Sequence, residues 1–208
     1  MVKEIAVKGN KVFSTAEVVS LSGLSSGLNI FKVNLKQAES KVGMHPMIKA
    51  VQIIRDFPAT IIIDITEREQ AALVYCTDSF AVISSDGYCL IKESSPGQTN
   101  LPIITGEELK SLAPGQKIPG EKLAVALDYL KAMPVNLRAA VSELNVSDLN
   151  NIRMYTMDKA EVRFGDKNRI MEKINLYQEV IRQKYDNKIQ YIDISYKGSP
   201  VIKFVSDS

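Results

Sequence analysis

Gly23-Leu24-Ser25-Ser26-Gly27 spells GxSxG, the pattern in which a serine raised on a sharp strand-to-helix turn attacks a carbonyl carbon, helped by a histidine and a carboxylate. The surroundings argue against that chemistry. The pattern follows an expected helix where the elbow needs a strand, and the one histidine, His45, precedes Pro46 in a connection between elements. A lone imidazole without neighbouring His, Cys or carboxylates also lacks the ligands a zinc ion requires. No serine is followed three positions later by lysine, and Lys-Thr-Gly, GxGxxG and the phosphate loop are all missing. We therefore assign no catalytic, metal-binding or cofactor-binding residue and expect no cofactor.

Other reactive groups read equally plainly. Cys76 and Cys89 lie in adjacent apolar runs without a CxxC pair and are expected to be unpaired packing residues in strands. Glu67-Arg68-Glu69 could form an acid pair, but consecutive charges at a strand end read as a solvated domain junction. Asn145-Val146-Ser147 matches a glycosylation acceptor, a motif short enough to arise by chance.

The positioning elements come from periodicity. The run from Lys49 to Arg68 holds two alternating apolar stretches joined by a turn containing Pro58, with Ile61, Ile63 and Ile65 on one face. Upstream, Lys3–Lys8 alternates and stops at Gly9-Asn10. Ser14 and Glu17 form a capping box for a helix ended by Gly23, and Asn34 caps a second helix carrying Leu35, Ala38 and Val42. This β-α-α-β-β order predicts a three-stranded sheet with two helices on one face, over residues 1–68.

Residues 69–208 have a different texture and predict a larger β-rich domain with helices packed on its sheet, so the whole chain is α+β. Ala71–Cys76, Ser79–Ser84 and Tyr88–Lys92 are expected strands, with Asp86-Gly87 as a hairpin turn. Lys92–Asn100 and Glu107–Gly120 read as irregular, separated by the short run Leu101–Gly106. A helix over Glu121–Met133 is stopped by Pro134, and strands follow at Val141–Val146, Ile152–Met157 and Ala160–Phe164. Asp166 is the expected cap of a helix with Ile170, Ile174, Tyr177 and Ile181 on one stripe. Strands Gln190–Tyr196 and Val201–Val205 end the chain.

Composition narrows the function class. The 208 residues include 26 Lys+Arg against 24 Asp+Glu, interspersed, for a net charge of +2, which offers no cationic field for nucleic acid. A hydrophobic content of 45% with 24% charged residues belongs to an ordinary globular protein. No apolar run approaches the roughly 20 residues of a membrane helix, and Met1 leads almost directly into a strand pattern without a signal peptide. Sheet edges without a catalytic constellation point to binding.

Ile5-x-Val7-x-Gly9-Asn10, Gly27-Leu28-Asn29-Ile30-Phe31, His45-Pro46-Met47-Ile48 and the Val51–Arg68 stretch resemble a POTRA domain in order and spacing. Asp86-Gly87 after Val82-Ile83, Leu101-Pro102-Ile103-Ile104-x-Gly106, Val162-x-Phe164-Gly165 and Tyr191-Ile192-Asp193-Ile194-x-Tyr196 resemble the β domain of the bacterial cell-division family FtsQ, called DivIB in Gram-positive bacteria. The chain departs from that family at Gln70, where many members have proline, and at Ser195, where arginine is common. The resemblance implies a non-enzymatic divisome scaffold that binds FtsL and FtsB/DivIC outside the membrane and links early division proteins to septal peptidoglycan synthesis. It further implies that this region is the soluble extracytoplasmic part of a single-pass membrane protein enriched at the septum. The POTRA domain would be free to meet other divisome proteins.

C-terminal strands at a sheet edge could accept a partner strand, which makes Tyr196, Gly198, Ile202 and Phe204 the expected partner-binding residues; the resemblance implies that Tyr196 stands where the family has its partner-binding tyrosine and Phe204 near its terminal aromatic position. Periodicity alone favours a different role, with Ile192, Ile194 and Tyr196 forming one core face closed by Phe204. Two other functions stay open at this point: a POTRA-type chaperone of outer-membrane protein assembly and a cell-wall enzyme.

Overall fold

Residues 1–97, 99–109, 111–183 and 185–205 are described by the computed structural model, and the chain divides into two units, Met1–Glu69 and Gln70–Ser208. The first unit contains β1 (Glu4–Lys8), α1 (Thr15–Ser22), α2 (Leu35–Gly43), β2 (Ile48–Asp56) and β3 (Thr60–Glu67). Its sheet has the order β1-β3-β2, with β1 parallel and β2 antiparallel to the central strand.

Local chemistry sets the element ends as expected. Ser14 Oγ accepts from the Glu17 N–H while Glu17 Oε2 accepts from the Ser14 N–H at 2.8 Å, so two otherwise orphaned donors of α1 are satisfied together. Gly23 ends α1 with φ 68°, and Asn34 Oδ1 accepts from the Gln37 N–H at the start of α2. The alternation of β3 buries Ile61, Ile63 and Ile65 against Val18, Ala38 and Val42 of the helices. Gly9 closes β1 at φ +77°, where an added Cβ would stand 2.0 Å from the Ile65 carbonyl oxygen.

Glu67 and Arg68 overturn the expectation of a merely solvated junction. The Glu67 carboxylate accepts from the backbone N–H groups of Lys11, Val12 and Phe13 at 2.9–3.1 Å. Burial opposes its charge, yet those three donors hold the carboxyl below its ordinary range. Arg68 donates to the carbonyls of Pro46 and Ile48. The pair ties both the β1–α1 and the α2–β2 connections to the end of β3, long-range bonds that a run of charges does not reveal.

The second unit comprises β4 (Gln70–Cys76), β5 (Ser79–Ser84), β6 (Cys89–Glu93), β7 (Ile103–Leu109), α3 (Glu121–Ala132), α4 (Val135–Arg138), β8 (Val141–Asn145), β9 (Ile152–Thr156), β10 (Glu161–Gly165), α5 (Ile170–Arg182), β11 (Ile189–Asp193) and β12 (Val201–Phe204). One nine-stranded sheet runs β12-β11-β10-β9-β8-β7-β4-β5-β6. Its core joins Val74, Ile83, Ile104, Leu144, Met154, Val162 and Ile192 from the strands to Leu123, Ala126, Tyr129, Leu130, Ile174 and Tyr177 from α3 and α5. Cys76 and Cys89 are free and buried, and burial pushes the Cys89 thiol up.

Several boundaries differ from expectation. Residues 107–109, expected to be irregular, continue β7, whose parallel partners β4 and β8 come from distant parts of the chain; Lys110, in the same expected stretch, and Gln98, in the expected loop Lys92–Asn100, lie outside the described residues. Asp166 does not cap α5: Arg169 stands at that position with φ 56° and makes no side-chain capping bond, its guanidinium donating instead to Glu172 at 2.8 Å. The Asp166 carboxylate is occupied by Lys173 Nζ at 2.7 Å and the Asn168 N–H at 3.1 Å. Ile181 shares the stripe of Ile174 and Tyr177 but is 41% exposed, because the last turn of α5 overhangs a cavity and leaves the sheet uncovered there.

Candidate partner-binding edge

β12 is one of the two end strands of the nine and, among the described residues, pairs on one side only, antiparallel to β11, with Asp193 opposite Val201 and Ile192 opposite Ile202. Alternate backbone N–H and C=O groups of such a strand point away from the sheet and are available to another strand. Its side chains divide by face: Ile202 packs partly against the core, while Val201 and Lys203 are exposed. Phe204 is half-buried, its ring 5.4 Å from that of Tyr185.

The connection leading into β12 is shaped by two short-range devices. Asp193 Oδ1 accepts from the N–H and the hydroxyl of Ser195, at 3.0 and 2.6 Å, which draws the chain out of the ladder after Ile194 has donated to the Arg163 carbonyl. The β10–α5 elbow presses on this turn, since a Cβ on Gly165 would stand 2.7 Å from Ser195 Cβ. Beyond the turn, Tyr196 is 80% exposed, and Gly198 has φ +133° in open space.

On the sheet face beside the edge, Tyr191 lies under the Arg163 guanidinium, 4.0 Å from its ring centroid, with Lys203 Nζ 5.9 Å away. Arg163 donates from Nη2 to Glu161 Oε2 at 2.8 Å, and that bond is the main cause that raises the Arg163 proton affinity. On the helix side, a cavity of about 550 Å³ lies between α5 and β11, bordered by Tyr177, Ile181, Tyr185, Ile189 and the exposed Met157.

Comparison with known proteins now decides the family. A family model described as "POTRA domain, FtsQ-type" matches residues 1–68, and one described as "Cell division protein FtsQ/DivIB, C-terminal" matches residues 72–195. The chain belongs to the FtsQ/DivIB family of cell division proteins. It is 28% identical to the cell division protein DivIB of Clostridium acetobutylicum, over 96% of this chain and 81% of that one. It is 25% identical to the cell division protein FtsQ of Syntrophotalea carbinolica, over 97% and 73%. A solved extracytoplasmic domain of DivIB from Geobacillus stearothermophilus aligns with 58% of this chain and 99% of its own length, at TM-score 0.40 and 17% identity.

Within this FtsQ/DivIB chain, the expected site residues are brought together in part. Ile202 and Phe204 lie on β12, and Gly198 and Tyr196 precede it in one continuous segment. Tyr196 does not end a strand as expected, because the Asp193–Ser195 turn stops β11 at Asp193. The same turn separates it from the core face that periodicity favoured: Ile192 and Ile194 are buried, and Tyr196 is not. Phe204, half-buried against Tyr185, is less free than an anchor awaiting a partner. The cavity flanking β11 was missed; its sequence signal was the apolar Ile181 at the very end of an amphipathic helix.

The GxSxG residues occupy the α1–α2 connection, with Gly23 as the α1 cap, so no strand leads into the serines. His45 stacks edge-on against Phe13 at 4.8 Å, and its Nδ1 accepts from the Met47 N–H. Among the described residues no helix is long and apolar enough to cross a membrane.

Proposed function

We propose that this chain is a non-enzymatic divisome scaffold that binds the extracytoplasmic parts of FtsL and FtsB/DivIC by strand addition at β12. In that role it links early division proteins to septal peptidoglycan synthesis, with this region outside the membrane and concentrated at the septum. The observation that carries the reading is an edge strand preceded by a fully presented aromatic: among the described residues β12 pairs on one side only, and Tyr196 is 80% exposed. A strand laid along β12 would gain main-chain hydrogen bonds, and Tyr196 would supply a large contact area at little entropic cost. The partners' identities rest on the family and its named cell-division role.

Titration of an FtsB/DivIC extracytoplasmic domain against the chain tests the reading. Tyr196→Ala should weaken binding by about tenfold or more if the tyrosine is a hot spot, with unchanged thermal stability because the ring is solvent-exposed. Phe204→Lys should also weaken binding but lower stability, since its ring packs on Tyr185. Unaltered affinity in both variants would refute docking at β12.

A further inference from the structure

One end of the first unit displays large apolar side chains that its own fold leaves uncovered. Phe31 is 74% exposed and Phe57 59%, and the two rings stack on each other at 5.6 Å with an interplanar angle of 29°. Leu28, three residues before Phe31, is 38% exposed, and its carbonyl accepts from the Val2 N–H at 2.7 Å. A small unit rarely leaves neighbouring apolar side chains exposed together without a partner.

The display is built. Arg55 of β2 donates from Nε to the Ile30 carbonyl at 2.7 Å and from Nη2 to the Val33 carbonyl at 2.6 Å, which fastens both ends of the segment carrying Phe31. Asn29 Oδ1 accepts from the Phe31 N–H at 3.0 Å, and Ile30 is buried in the core while Phe31 stays exposed. Phe57, on the β2–β3 turn, meets Phe31 from the other side.

Leu28 also lines a cleft of about 220 Å³ between α1 and α2. Lys32 and Lys41 border that cleft together with Asn29, Asn34 and Gln37, and no carboxylate is among its lining residues. An apolar, aromatic tip next in sequence to a cationic, amide-rich cleft matches the two layers of a membrane interface: phenyl rings enter the acyl boundary while ammonium groups meet phosphate.

We propose that this end of the unit docks on the surface of a bilayer containing anionic phospholipid, with Phe31 and Phe57 inserted at the headgroup level and Lys32 and Lys41 on lipid phosphates. This surface belongs to the first unit and β12 to the second, so the two can be tested with different variants.

Vesicles of phosphatidylcholine alone, and of an equal mixture of phosphatidylcholine and phosphatidylglycerol, are sedimented with the full 208-residue chain. Retention should be greater on the mixed vesicles. Phe31→Ser/Phe57→Ser should lower the partition coefficient by about tenfold or more through lost apolar burial. Lys32→Gln/Lys41→Gln should lower it by about fivefold per charge on the anionic vesicles alone. Both variants change exposed side chains, and an unchanged melting profile confirms that they fold. Retention equal on the two vesicle types, or undiminished by the double phenylalanine substitution, overturns the proposal, as does no retention at all, which would leave the tip to a protein partner.

Discussion

Lys173 gives the sharpest test of how the second unit is held together. Its side chain is fully buried in α5, and its ammonium donates to the Asp166 carbonyl at 2.6 Å and to Asp166 Oδ1 at 2.7 Å, whereas 44% of the Asp166 side chain faces solvent. The two partners are therefore unequal. Asp166→Ala strands a buried ammonium on one carbonyl; removal of one member of a buried pair costs about 3–5 kcal/mol, and the half-exposed, screened carboxylate brings the expected loss to about 2–3 kcal/mol. Lys173→Met removes the buried charge, keeps most of its volume and lets Asp166 hydrate, so its loss should stay below about 1 kcal/mol. The Asp166 carbonyl then keeps the Tyr129 hydroxyl, which donates to it at 3.2 Å.

The pair also carries a pH signature. Hydrogen bonding from Lys173, and next from Asn168, lowers the Asp166 carboxyl from 3.8 to about 2. The folded value lies below the unfolded one, so this stabilisation is complete above the ordinary 3.8 and is lost as pH falls toward about 2. Urea unfolding followed by circular dichroism, with amide exchange in α5 to assign the transition, measures both effects. Lys173→Met as costly as Asp166→Ala would refute the unequal roles, and an acid dependence of α5 opening that is undiminished in Asp166→Ala would refute the linkage.

Two further perturbations address the first unit. Glu67→Gln should destabilise it by about 1–2 kcal/mol, because a charged acceptor of three backbone N–H groups becomes a neutral one. The parent's advantage should fade as pH falls through the lowered Glu67 carboxyl, so urea midpoints of the two forms converge in acid. Gly9→Ala combines φ +77° with a Cβ placed 2.0 Å from the Ile65 carbonyl oxygen and should cost at least about 2 kcal/mol. Faster amide exchange along β1 would report it, and an unchanged midpoint would show that the turn relaxes easily.

Much of the architecture was legible from short-range pattern. The Ser14–Glu17 box, the Asn34 cap and the Ile61-Ile63-Ile65 alternation each involve residues within a few positions, so local chemistry suffices to specify them. The second unit was legible as strands and helices but not as a sheet order. The neighbours of β7 are β4 and β8, contributed by segments on either side of it in the chain, and its last residues looked irregular until Cys76 was paired with Leu109. Asp166 shows the same limit at one side chain: its type and position suit a helix cap, but Lys173 claims it.

The amino-acid sequence by itself determined most of the elements and the change of texture near residue 69, because periodicity, caps and turn dipeptides are encoded locally, while the family was legible only as a resemblance of motifs. The tertiary structure decided that β12 is an edge strand among the described residues, that Tyr196 is expelled from the core face its spacing suggested, and that Glu67 and Arg68 act as clamps. Each depends on which distant backbone claims a donor or acceptor first. Asp193 capturing Ser195, and the N–H groups of Lys11, Val12 and Phe13 capturing Glu67, are competitions resolved only when the chain is folded.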